Sequence, residues 1–144
     1  MNLLDNSIFD IPLYTINNIK CEGRVVDVYD GDTITIVFPL NGVLQKHKIR
    51  LYGINAPELK GSTHEAGLTS RNFLLSQILD KDINLSKEYT RVEIVTMLKD
   101  LKKVLTFELM GYEKYGRLLA KIYDKEECLN DLMVLQGYAE EYIL

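Results

Sequence analysis

The chain has 144 residues, 47% of them apolar and 26% charged, the make-up of one ordinary globular domain with a buried core. Seventeen basic against 21 acidic residues leave a formal net charge of −4, which argues against broad electrostatic binding of a polyanion but not against a few arginines aimed at one phosphate. No apolar run approaches the ~20 residues of a membrane helix, and Met1 to Lys20 lack the pattern of a secretory signal, so no membrane is expected and location leans towards the cell interior.

In chain order, residues 1–21 read as an extension lying on the domain through Ile8, Phe9, Ile11, Leu13 and Tyr14. A period of two then predicts strands over Arg24–Tyr29, Thr33–Phe38 and Gln45–Tyr52. Asp30-Gly31-Asp32 turns between the first two, and Asn41-Gly42 signals a hairpin between the second and third. Gly53–Ser62 reads as an irregular loop. From Glu65 the pattern becomes helical, with Leu68, Phe73, Leu74 and Ile78 able to share a face. Thr90-Arg91-Val92-Glu93 has the form of a capping box, predicting a second helix to about Leu101. Strands over Val104–Leu109 and Arg117–Tyr123 follow, then a helix over Leu129–Gln136 with Gly137 as its C-cap. This order suits an α+β protein built mainly on a partly open barrel, which fixes no function.

Cys21 and Cys128 are far apart and have no ligand-spaced thiol or histidine, so free thiols are expected; a disulfide would need an oxidising compartment. His47 and His64 each lack a second histidine at metal-ligand spacing, which leaves them surface or capping roles.

Three short segments carry the chemistry: Asp30-Gly31-Asp32-Thr33, Ile49 to Glu58, and Lys114-Tyr115-Gly116-Arg117. Each alone is an ordinary turn or strand end. Together they supply the parts of a phosphodiester-cleaving site. Attack by water adds negative charge to the phosphoryl oxygens, which calls for fixed cations, a metal held by hard oxygens and a group to activate the water. Arg50 and Arg117 offer forked guanidinium donors, Asp32 a hard ligand, and Glu58 a general base.

The blocks Val-x-Asp-Gly-Asp-Thr, Arg-Leu-x-Gly-Ile-x-Ala-Pro-Glu, Lys-Tyr-Gly-Arg-Leu-Leu-Ala and the closing Leu129-Asn130 to Gln136-Gly137-Tyr138-Ala139 occur in one order. In this the chain resembles the staphylococcal nuclease (thermonuclease) family over roughly Glu22 to Tyr142. The resemblance implies a five-stranded OB-fold barrel with about three helices, spanning 22–144 with an inserted helix near 85–103. It also implies a monomeric calcium-dependent nuclease acting on DNA, RNA or both and leaving 3′-phosphates. By position, Arg50, Glu58 and Arg117 are implied as catalytic, and Asp32, Asn55 and the Ala56 carbonyl as ligands of one calcium ion. Lys114 and Tyr115 match positions that contact the nucleotide's terminal phosphate, and Tyr142 is a candidate to stack on the base.

Asn55 departs from the family pattern, which has an aspartate there. An amide oxygen still coordinates calcium but brings no charge, and affinity follows ligand charge. Asp30 either compensates from behind Asp32 or simply makes the turn. The insertion at 85–103 reads as a lid, a partner surface or neutral decoration. Two rival functions stand beside the nuclease: an OB-fold module that binds nucleic acid with weak or no cleavage, and a structural or protein-interaction domain.

Overall fold

Alternation of β-branched and polar residues builds the barrel wall. The computed structural model describes residues 2–13, 16 and 18–143; Tyr14 lies outside the described residues. Strand β1 (Ile19–Asp30) turns at Gly31-Asp32 into β2 (Thr33–Leu40), which sends Ile34, Ile36 and Phe38 inward to 0–1% exposure. Asn41 and Gly42 both take positive φ (53° and 79°), as a two-residue turn between twisted antiparallel strands requires. Strand β3 (Val43–Leu51) returns in register from Leu40↔Val43 to Thr33↔Arg50.

A two-residue β4 (Ile54–Asn55) leads through the Pro57 loop into helix α1 (His64–Leu79). Helix α2 (Arg91–Leu101) opens with both halves of the predicted capping box, Glu93 N–H to Thr90 Oγ1 at 3.2 Å and Thr90 N–H to Glu93 Oε1 at 3.1 Å. Strand β5 (Leu105–Tyr112), β6 (Leu118–Asp124), a short β7 (Glu127–Cys128), helix α3 (Leu129–Leu135) and β8 (Glu140–Glu141) complete the chain. The hydrogen-bonded order is β3-β2-β1-β5-β6-β7. Parallel pairing of β3 with β6, from Ile49↔Leu118 to Leu51↔Ala120, closes the five long strands into a barrel. β4 pairs separately with β8.

Strand β1 begins at Ile19, five residues before the predicted start, because Ile19 to Gly23 pair with Leu109 to Leu105 of β5. Cross-strand partners decided this, not local propensity. Helix α1 buries Leu74, Leu75 and Ile78 at 0–1% exposure, while Phe73, expected on the same face, is half-buried and stacks on Tyr138 at 4.2 Å. Buried Asn72 reaches from α1 to the carbonyls of Leu85 and Lys87, each at 2.8 Å. The segment leading into α2 is thereby tied to α1. Buried Asn130 accepts Ile122 N–H at 2.9 Å and donates to Tyr52 O and Ala120 O, joining α3 to β6 and the end of β3. Cys21 and Cys128 are half-buried free thiols, and desolvation raises the pKa of each.

Candidate active site

Two glycines let the site close. A Cβ on Gly31 would stand 1.9 Å from Ser70 Oγ and 2.8 Å from the Ala56 Cβ, so only glycine lets the β1–β2 turn sit against α1 and the Pro57 loop. A Cβ on Gly67 would stand 2.5 Å from the Glu58 carbonyl oxygen, so α1 presses directly on the backbone of the loop that carries Glu58.

Asp32 is 5% exposed. Its Oδ2 accepts Arg50 Nη1 at 2.6 Å and Ala56 N–H at 2.8 Å, and its Oδ1 accepts the Thr33 hydroxyl at 3.1 Å. Burial pushes its pKa up, but the hydrogen bonds from Asp30, Ala56 and Arg50, with the Arg50 charge, outweigh burial and hold it below the usual carboxylate value. Asp30 differs. Its Oδ1 accepts Asp32 N–H at 3.1 Å, yet desolvation first and the Asp32 charge second raise its pKa to about 7. The turn therefore holds one firmly ionised carboxylate and one that resists ionising beside it.

Arg50 stands opposite Thr33 in the β2–β3 ladder. Its Nη2 donates to Ile54 O and to Asn55 Oδ1, both at 3.2 Å. One guanidinium thus gathers Asp32 and Asn55 around itself, with Ala56 bonded to the same carboxylate.

Arg117 sits just ahead of β6 and is clamped by Glu113, Nε to Oε1 at 3.0 Å and Nη2 to Oε2 at 3.2 Å. Two backbone bonds tighten this turn: Glu113 N–H to Arg117 O at 2.9 Å and Gly116 N–H to Glu113 O at 3.0 Å. The paired guanidinium lowers the Glu113 pKa, and the carboxylate raises that of Arg117. Arg117 Nη1 also lies 3.4 Å from Thr33 Oγ1, so Thr33 bridges Arg117 to Asp32. Glu113 and Thr33 were not singled out as site residues from sequence. An acid four residues before an arginine, across a glycine-containing turn, was the available signal for the first.

Arg50, Arg117, Lys114, Tyr115 and Tyr142 line one cleft of about 440 Å³. Tyr142 is held there by its N–H bond to Gly53 O at 2.8 Å, and the Lys114 ammonium lies 5.0 Å from the centre of the Tyr115 ring. Glu58 is exposed and lies in a separate, smaller cleft with Tyr29, Asp30 and Lys60. It meets the rest of the site by way of Asp30, not by a direct bond to Asp32 or Arg50. His64 opens α1 without capping it, the N-cap being Thr63, and its Nδ1 lies 2.6 Å from Leu59 O in the preceding loop; His47 packs its ring against Phe38 at 5.0 Å.

The donors near the turn suit a hard divalent cation: the Asp32 carboxylate, the Asn55 amide oxygen and the Ala56 carbonyl, with Asp30 behind. The charge is thin. No cluster of three or more acidic, histidine or cysteine ligands occurs among the described residues.

Residues 48–144 match the model of the family described as staphylococcal nuclease homologue. A Haemophilus influenzae protein named as an uncharacterized endonuclease is 29% identical over 119 residues, covering 83% of this chain and 51% of its own length. The chain spans about half the length of that relative.

Proposed function

For a chain that belongs to the staphylococcal nuclease homologue family, we propose a calcium-dependent nuclease that hydrolyses phosphodiester bonds of DNA, RNA or both and leaves 3′-phosphates. One observation carries the reading: Arg50 and Arg117 flank a single cleft and are joined through Asp32 and Thr33 into one hydrogen-bonded set.

Arg50 and Arg117 bind the scissile phosphate and meet the charge that grows on its oxygens, trading bonds to Asp32 and Glu113 for bonds to the phosphate. Lys114 and Tyr115 hold the neighbouring phosphate, and the exposed ring of Tyr142 offers a face to the base. Glu58 takes a proton from the water that attacks phosphorus. The P–O5′ bond breaks and the departing O5′ takes a proton from solvent water, so one fragment keeps the 3′-phosphate and the other a 5′-hydroxyl. A bound calcium ion, held by Asp32, Asn55 Oδ1 and the Ala56 carbonyl, would supply further positive charge at the phosphate.

Asn55 weakens that cation's cage, which keeps a binding module as the second reading. Cleavage of single- and double-stranded DNA and RNA, followed across a calcium titration beside Asn55→Asp, separates the two. Cleavage that is lost in Glu58→Gln and Arg117→Ala supports the enzyme. Binding without cleavage at any calcium level, in the natural protein and in Asn55→Asp, leaves the module.

A further inference from the structure

The net charge of −4 is unevenly placed. On β3, Lys46, Lys48 and Arg50 alternate with half-buried His47 and buried Ile49, so all three lie on the outer face of the barrel. The ladder sets Arg50 opposite Thr33, Lys48 opposite Thr35 and Lys46 opposite Val37. Next across, Thr33 pairs with Asp30, Thr35 with Asp27 and Val37 with Arg24. Three successive rows therefore run from the catalytic arginine to Arg24, roughly 14 Å at about 3.4 Å per residue.

Helix α2 walls this face. It is fastened to β1 by Arg24 Nη2, which donates to Lys99 O at 2.9 Å and Leu98 O at 3.2 Å, and by Arg91 Nη2 to Asp27 Oδ2 at 3.1 Å. Between helix and strands lies a groove of about 340 Å³, lined among others by Arg24, Thr35, Lys46, Arg91 and Lys99. Its acid, Asp27, is neutralised by Arg91. Lys46, Lys48 and Lys99 are exposed and have no acidic partner among the described residues. Two unpaired ammonium groups in line with Arg50 on β3, with a third on α2 at the groove, suit the regular charge of a phosphate backbone, and one face of an OB barrel can seat several nucleotides.

We propose that the groove between α2 and the outer face of β1–β2–β3 binds the arm of the nucleic-acid strand that leaves the scissile phosphate on the side away from Lys114 and Tyr115. The assignment rests on the nuclease reading. It gives the 85–103 insertion a role as the wall of a substrate track, and it favours cleavage within a strand, since chain would continue on both sides of Arg50.

The test is binding of a labelled oligothymidylate of about 20 nucleotides, longer than the roughly 4–16 that one barrel covers, read by fluorescence anisotropy in chelator over a series of salt concentrations. The triple change Lys46→Glu, Lys48→Glu, Lys99→Glu is compared with Lys20→Glu, Lys81→Glu, Lys125→Glu, which alters net charge equally at sites outside the groove. Melting curves confirm that both variants fold, and a triple Lys→Gln version of the groove set removes charge without reversing it. The groove variants should lose about tenfold or more in affinity, and their log–log salt slope should drop by about 2, at ~0.7 per lost phosphate contact on a single strand. Equal weakening by the control triple, or an unchanged slope in the groove variants, overturns the proposal. If the natural protein binds through the groove yet cleaves no substrate with calcium, the groove stands and the nuclease reading falls.

Discussion

Replacing Asn55 by aspartate tests the weakest point of the site. The side chain is exposed, and its Oδ1 lies 3.2 Å from Arg50 Nη2, so an aspartate fits the same space and the fold should hold within about 0.5 kcal/mol. The new charge would join the Asp32 carboxylate, 2.6 Å from the same guanidinium. Two unit charges 4 Å apart interact by about 1 kcal/mol in water and about 4 kcal/mol near a protein surface, and a divalent ion doubles the gross attraction. Desolvation of an exposed carboxylate and its own pairing with Arg50 return most of that gain. The net expectation is about 1.4 kcal/mol or more, a tenfold fall in the calcium concentration for half-saturation. Calorimetric calcium titration of the two proteins, with cleavage followed over the same range, reads it directly. Unchanged or weaker calcium binding in Asn55→Asp would refute the assignment of Asn55 to the cation site.

The remaining predictions probe what holds the proposed catalytic groups and the fold around them. Gly67→Ala forces a methyl to within 2.5 Å of the Glu58 carbonyl, so it should cost about 1–3 kcal/mol of stability and lower kcat more than it raises KM; a variant that loses stability with unaltered kcat would show that the loop position does not matter. Glu113→Gln releases the two-point clamp on Arg117 and should lower kcat/KM about 10-fold or more, the scale of one charge-assisted bond. It should also flatten the acid limb of the stability curve. The Glu113 pKa is depressed in the folded state, so its contribution is present above the ordinary value of 4.5 and disappears as pH falls through the folded value; urea melts between about pH 5 and 3 would show the limb. Asn130→Ala strands the buried Ile122 N–H and should cost about 1–3 kcal/mol, seen as a lower urea midpoint with unchanged slope.

Much of the fold was legible because it is local. Alternation along Thr33–Phe38, the Asn41-Gly42 turn and the Thr90–Glu93 box each act through neighbours within a few residues, and all three occur as read. The start of β1 at Ile19 was not legible, since its reason is Leu109, ninety residues away. Nor was the short pairing of Asn55 with Glu140, which joins the Pro57 loop to the end of the chain.

The site divides in the same way. Residue type and order identified Asp32, Arg50, Glu58 and Arg117 as candidates, because chemistry belongs to the side chain and order belongs to the sequence; the family resemblance added Lys114, Tyr115 and Tyr142. Distance does not belong to the sequence. Arg50 meets Asp32 because the β2–β3 ladder sets it opposite Thr33, the Thr33 bridge to Arg117 needs β6 closed on β3, and Glu58 stands in its own cleft beside Asp30. The β1–β2–β3 ladder and the packing of α2 on β1 put Lys46 and Lys99 on one groove, with Lys48 two residues along β3 towards Arg50. Net charge is a sum over the chain, whereas a phosphate backbone responds to where in space the charges stand.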